Sequence, residues 1–217
     1  MKRILIYGIS QQAEQLCRYI QLEQAAEIRA FVADQQYKTR DSLNGIPVVS
    51  FDDLGDFSPQ DYEIAISFGY KNMVENRRAK AEACMRRGYS IYTFISSHAQ
   101  VYADSVGEGC IIYPGCVVSA FTRLGRGNFL EVGATIAHHT VVGNYNFFAP
   151  SATVCGGVTI EDNCFFGANC TVSNNITVRH KTLVSAGCFL NRCSQPHEVY
   201  FSEQAKRSEL SSEQITI

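Results

Sequence analysis

Nothing in this chain approaches the ~18 consecutive apolar residues of a bilayer-spanning helix, so no membrane span is expected. No Cys-x-x-Cys occurs, which removes the common zinc-ribbon and thiol-redox motifs. There is no excess of one charge either. A formal net charge of −2 gives no field for a nucleic-acid backbone, although backbone amides or a few basic side chains can still hold a phosphate locally. Met1-Lys2-Arg3 opens directly into a strand rather than the apolar core of a secretory signal, so a cytoplasmic protein is expected. Cysteine is not scarce, at nine residues, but the count is odd. Five of the nine (Cys110, Cys116, Cys164, Cys170 and Cys188) fall on one repeating small position. They read as reduced, buried thiols rather than disulfides or metal ligands.

What the chain does have is a period of six. An apolar residue stands at every sixth position: Val106, Ile112, Val118, Leu124, Leu130, Ile136, Val142, Phe148, Val154, Ile160, Phe166, Val172, Val178, Val184 and Leu190. In a chain that is 46% hydrophobic, fifteen such hits in succession arise by chance well under about once in a thousand. Six is the repeat of a parallel β-helix, in which three short strands make one triangular coil and the coils stack. With these residues as position one, position five also points inward and is nearly always small, from Cys110, Cys116, Thr122 and Asn128 to Cys188. A narrow prism needs this if the large position-one side chains are to fill its axis. Gly107, Gly125, Gly143 and Gly167 recur at position two, where a corner is expected to demand a backbone that other residues resist. Residues eighteen apart should stack about 4.8 Å apart, which lines up Phe129, Phe147 and Phe165 as an aromatic ladder. Outward apolar residues such as Ile111, Val117 and Val141 are expected to leave flat faces for self-association.

The segment before the repeat alternates strands with helices. Residues 2–7 read as a buried strand ending at Gly8, followed by a helix with Ala13, Leu16, Cys17 and Ile20 on its apolar face. Residues 27–33 form a second strand closing on Asp34, and 46–49 a short edge strand. Residues 63–68 make another buried strand, 72–87 a helix ended by Gly88, and 90–95 a last strand. This predicts an α/β Rossmann-like module with a small parallel sheet and ligands at the strands' carboxyl ends. The expected organisation is 1–97 for this module, 98–195 for the coils and 196–217 for a polar tail. Gly8-Ile9-Ser10-Gln11-Gln12-Ala13 keeps only the first glycine of the dinucleotide fingerprint, which argues against NAD. It still suits a phosphate or nucleotide edge at a helix N-terminus. Asp34 is placed to accept hydrogen bonds from a base or ribose, unless it is a solvated loop carboxylate. Tyr70 and Lys71 follow the next strand and line the same crevice. Gly8, Ser10, Asp34, Tyr70 and Lys71 are thus the substrate-binding candidates.

A short Rossmann-like module followed by hexapeptide coils resembles the bacterial sugar acyltransferases. These include nucleotide-sugar N-acetyltransferases of the bacillosamine type and sialic acid O-acetyltransferases. The resemblance covers roughly residues 1–200 and is most specific along Ile136-Ala137-His138-His139-Thr140-Val141-Val142-Gly143, Ala149-Pro150-Ser151-Ala152 and Val154-Cys155-Gly156-Gly157-Val158. It implies a left-handed β-helix, an acyl-CoA co-substrate without a metal, a nucleotide-sugar acceptor, and a homotrimer with sites between neighbouring prisms. His138 matches the family's base. Gly156 and Gly157 match a glycine pair whose amide contacts the acyl thioester, and Ala168 and Ala186 lie in turns that border the coenzyme A arm. The chain departs from the pattern in four places. His139 stands where Asp or Glu is usual, Phe147 replaces a second histidine, the glycines of the first loop after Gly8 are mostly missing, and Ser202-Glu203-Gln204-Ala205-Lys206 replaces a late Gly-x-Pro-Ala.

His138 is third in its hexad, so it should leave the prism, and its neighbours eighteen residues away are Ala120 and Gly156, which leave a groove. Acyl transfer needs a base, and an imidazole with an ordinary pKa of about 6.5 supplies one near neutrality. It also needs a donor for the oxyanion, for which an amide near Gly156 is placed. Two solvated turn histidines are the plainer alternative, and His139 is either a partner of His138 or a bystander. The expected activity is acyl-CoA-dependent N-acylation of a nucleotide-linked amino-deoxy sugar, with sugar O-acetylation on the same scaffold as the alternative. A zinc hydratase needs three converging histidines, whereas His138 and His180 are seven hexads apart. A non-catalytic scaffold would cleave no thioester.

Overall fold

The computed structural model describes residues 1–68 and 75–203. Its first part is a five-stranded sheet. The run Arg3–Tyr7 (β1) is an interior strand, its residues after Arg3 apolar and buried on both faces. Glu27–Ala33 (β2) and, after the short Ser42–Leu43 (β3), Ile46–Ser50 (β4) extend the sheet on one side of it. Tyr62–Ile66 (β5) lies on the other, giving the order β3-β4-β2-β1-β5. All pairs are parallel except β3 with β4, so the sheet is mixed rather than the all-parallel sheet expected. Two helices, Gln11–Leu22 (α1) and Glu75–Arg86 (α2), pack on it. The apolar stripe of α1 is Ala13, Leu16, Cys17 and Ile20, as the spacing predicts.

The expected last strand over 90–95 is divided instead. Ile91 bridges to Ile64 in the first sheet, while Phe94–Ile95 already pairs with Ile111–Ile112 in the coils. From there the chain winds into a three-sided prism. Its first face has seven strands, from Phe94–Ile95 through Phe129–Leu130 to Val199–Tyr200. The second has six, from Gln100–Val101 to Phe189–Leu190, and the third five, from Ser105–Val106 to Thr177–Val178. Every pairing within the faces joins residues eighteen apart, apart from those of the two end strands of the first face and of Gln100–Val101 at the start of the second. Position-one side chains fill the axis, and Phe148 stacks on Phe166 at 4.7 Å.

Two features of the coils lie beyond the period. Position-five side chains are small, and several are also donors that reach a carbonyl fifteen residues on. Cys110 bonds Gly125, Cys116 bonds Glu131, Thr122 bonds Ala137, Asn128 bonds Gly143, Thr140 bonds Cys155 and Cys164 bonds Arg179, at 2.8–3.3 Å. Buried carbonyls at the corners are thereby satisfied from inside the prism. The left-handed backbone occurs at position four, not position two: every sixth residue from Gly109 to Gly187 has positive φ. The position-two glycines answer to close packing between coils. A Cβ on Gly107 would lie 2.5 Å from the Gly125 carbonyl carbon, and one on Gly167 would lie 2.3 Å from the Ala186 nitrogen.

The sheet module covers the first prism face. Ile111, Phe129 and Phe147 point out of the prism into a core shared with Ile4, Ile6, Leu16 and Phe31. Burial of each such side chain contributes about 1.5–3 kcal/mol. Ile111 is fully buried and not open to a partner, whereas Val117 and Val141, on the other two faces, stay partly exposed. The phenylalanine ladder therefore binds the two parts together, with Phe129 stacked on Phe147 at 5.1 Å and the Arg77 guanidinium 5.0 Å above Phe129.

Candidate active site

His138 stands on the corner between the second and third faces, after Thr135–Ile136 and before Val141–Val142, and is exposed. Its ring lies on Gly156 of the next coil. A Cβ there would fall 2.5 Å from its Cε1, 2.8 Å from Nε2 and 3.0 Å from Nδ1. His138 Nδ1 is 3.0 Å from His139 Nδ1, so one ring donates and the other accepts. His139 in turn packs against Phe121 with ring centroids 4.7 Å apart. The Gly157 amide donates to the His138 carbonyl at 2.9 Å, so of the glycine pair only the Gly156 amide is left as an oxyanion donor. Because a Cβ collides with the imidazole, Gly156→Ala should displace it and lower kcat by about 10²-fold with the fold retained. Steady-state rates beside a thermal melt check this, and an unchanged kcat would show that the ring's seat does not matter.

A cavity of about 920 Å³ opens at the carboxyl ends of β1 and β2. Gly8, Ser10 and Asp34 line it together with Tyr7, Gln36, Tyr37, Phe68 and Lys80. Gly8 has φ +134°, and a Cβ would meet the Ser67 carbonyl oxygen at 2.3 Å, so only glycine fits where β1 meets the end of β5. Ser10 is the N-cap residue of α1 without a side-chain capping bond. Asp34 Oδ1 accepts from the Tyr7 hydroxyl at 2.5 Å and the Lys80 ammonium at 2.6 Å. Burial, and then the bond to Asp34, push the Tyr7 phenol well up, which keeps it a donor. Lys80 and Tyr37 carry no motif that a sequence reading could have used. Lys80 reaches Asp34 only because α2 folds back across the sheet, 46 residues on. Tyr70 and Lys71 lie outside the described residues.

The candidates thus fall into separate places. Ala168 and Ala186 are exposed on the corner between the first and second faces, after Phe165–Phe166 and Leu183–Val184, not on the His138 corner. The cavity belongs to the module on the first face, and the His138 corner is the one opposite that face. One chain therefore does not bring its own pocket, its His138 and its Ala168–Ala186 edge together. Among the described residues no group of three or more His, Cys, Asp or Glu is arranged to hold a metal, and no helix is long and apolar enough to cross a membrane.

Two family models match the coils, "Bacterial transferase hexapeptide (six repeats)" over residues 139–174 and "Hexapeptide repeat of succinyl-transferase" over residues 157–192. No curated protein sequence matches the chain. Among solved structures it is similar to the acetyltransferase domain of PglB from Neisseria gonorrhoeae FA1090, at 19% identity over 92% of this chain and 96% of that one, with a TM-score of 0.81. The fold is a left-handed parallel β-helix. PerB from Caulobacter crescentus, solved with CoA and GDP-perosamine, is similar at 20% identity over 93% and 92% of the two chains, TM-score 0.78. WeeI from Acinetobacter baumannii AYE is similar at 18% identity over 92% and 94%, TM-score 0.77. At such identities the likeness carries the fold and leaves the chemistry to the residues.

Proposed function

We propose that this protein is an acyl-CoA-dependent N-acyltransferase acting on the amine of a nucleotide-linked amino sugar, with His138 as general base. The observation that carries the reading is the exposed His138 imidazole, seated on a residue without a side chain and tied through Nδ1 to His139. With the proton on Nδ1, Nε2 keeps its lone pair for the acceptor. The amine attacks the thioester carbonyl, Nε2 takes the amine proton, and the Gly156 amide receives the developing oxyanion. The tetrahedral intermediate then expels the coenzyme A thiolate, which the imidazolium protonates.

The N-terminal module, read as Rossmann-like, holds the nucleotide. The first-turn amides of α1 and the uncapped Ser10 hydroxyl suit a diphosphate, and the rim around Asp34, Tyr37 and Phe68 suits a base or ribose. Gly157, Ala168 and Ala186 border the coenzyme arm. The structural relatives support this: one is a perosamine N-acetyltransferase solved with CoA and GDP-perosamine, another an acetyltransferase domain solved with acetyl coenzyme A. Since pocket and His138 stand on opposite sides of one prism, the working unit is a homotrimer in which one protomer's pocket serves a neighbour's His138. Nine free cysteines, seven of them buried, suit the reducing cytoplasm.

Two measurements test the reading. Thiol release over a matrix of acyl-CoAs and amino-sugar nucleotides should show turnover for at least one pair; none at all would leave a scaffold. Co-expressing His138→Asn with a pocket-blocked Ser10→Trp chain should regenerate about one quarter of wild-type activity if sites form in trans. Mixtures no better than the separate variants would place pocket and base in one chain.

A further inference from the structure

Phe121 is an anomaly in the prism. It occupies a position-four corner with φ 61°, a strained conformation for a bulky side chain, and the residue is 60% exposed. The other non-glycine corners are mostly Asn, Ser or Lys, which tolerate this backbone or lie in water. Tyr145 shares the strained backbone, but its ring is buried in the module interface. Phe121 gains no such burial within its own chain. Its ring contact is with His139, one coil on, at 4.7 Å and 35°.

We propose that Phe121 is a positioning residue which holds His139 as the partner of His138. This rests on the reading of His138 as the base. A carboxylate beside a catalytic imidazole offers only acceptors, so it selects the Nδ1–H tautomer by itself. His139 is an exposed imidazole whose χ2 is broad and two-fold, and only one orientation turns Nδ1 toward His138. The Phe121 ring fixes the plane of His139. Within that plane, one ring orientation makes the 3.0 Å Nδ1–Nδ1 hydrogen bond and the flipped one presents a carbon. Phe121 thus confines His139 to the plane in which that bond can form, the bond itself selects the orientation within the plane, and the strained corner is retained for that contact.

The test is a double-mutant cycle joined to ¹⁵N NMR of the imidazoles in the free protein. Phe121→Ala should lower kcat about tenfold with both KM values little changed, and Phe121→Tyr should restore it. In a His139→Ala background the same Phe121→Ala change should cost nothing further. In the wild-type spectrum one Nδ1 should be protonated and the other an acceptor, and Phe121→Ala should abolish that pairing. Equal losses in both backgrounds, or an unchanged ¹⁵N pattern, would overturn the proposal. The NMR result requires no turnover, so it stands apart from failure of the base assignment, which His138→Asn kinetics report.

Discussion

His138→Asn should lower kcat by about 10²–10⁴ while coenzyme A affinity stays nearly unchanged. Asparagine is close to imidazole in reach and can still hydrogen-bond toward His139, but it has no basic nitrogen for the acceptor's proton. Its side chain also fits over Gly156, which has no Cβ to obstruct it. Of the coenzyme candidates, Ala168 and Ala186 sit on another corner of the prism, and Gly156 and Gly157 offer backbone only, which the substitution leaves in place. Steady-state kinetics with calorimetric titration of coenzyme A separate the two effects. Activity within about threefold of wild type would remove His138 as the base.

The largest expected loss of stability comes from the axis of the prism. Phe148 is fully buried and stacks on Phe166 with rings 3° from parallel. Phe148→Ala removes a large apolar group from a column whose neighbours above and below are fixed by backbone pairing to adjacent coils. The walls therefore cannot collapse far into the space, and the cost should fall at about 3–5 kcal/mol. It would appear as a lower urea midpoint with an unchanged m-value at fixed protomer concentration. A shift equivalent to under about 1 kcal/mol would mean that the axis repacks freely.

Much of this could be read without coordinates, and the residues show why. The period of six put Phe148 and Phe166 inside and aligned Phe129 with Phe147, because a pairing that advances eighteen residues per coil repeats the same inward set. Gly8, Ser10 and Asp34 followed strand ends and meet at one cavity, since parallel strands deliver their carboxyl ends to a common side. Other readings needed correction. Glycine at position two looked like a backbone requirement, yet Gly107 and Gly167 are selected by an adjacent coil that no local pattern reveals. Ile111 looked like an oligomer surface because its outward direction was legible and its cover was not. Lys80 was silent, its partner Asp34 being 46 residues away.

The sequence by itself determined the coil, its inward residues and its stacking, since β pairing converts a fixed spacing directly into a register. Only the tertiary structure decided which prism face lies under the sheet module, and hence that the pocket and His138 stand on opposite sides of one chain. All three faces carry the same six-residue period, so the choice among them rests on packing between distant segments, here the phenylalanine ladder against the core around Ile4, Leu16 and Phe31.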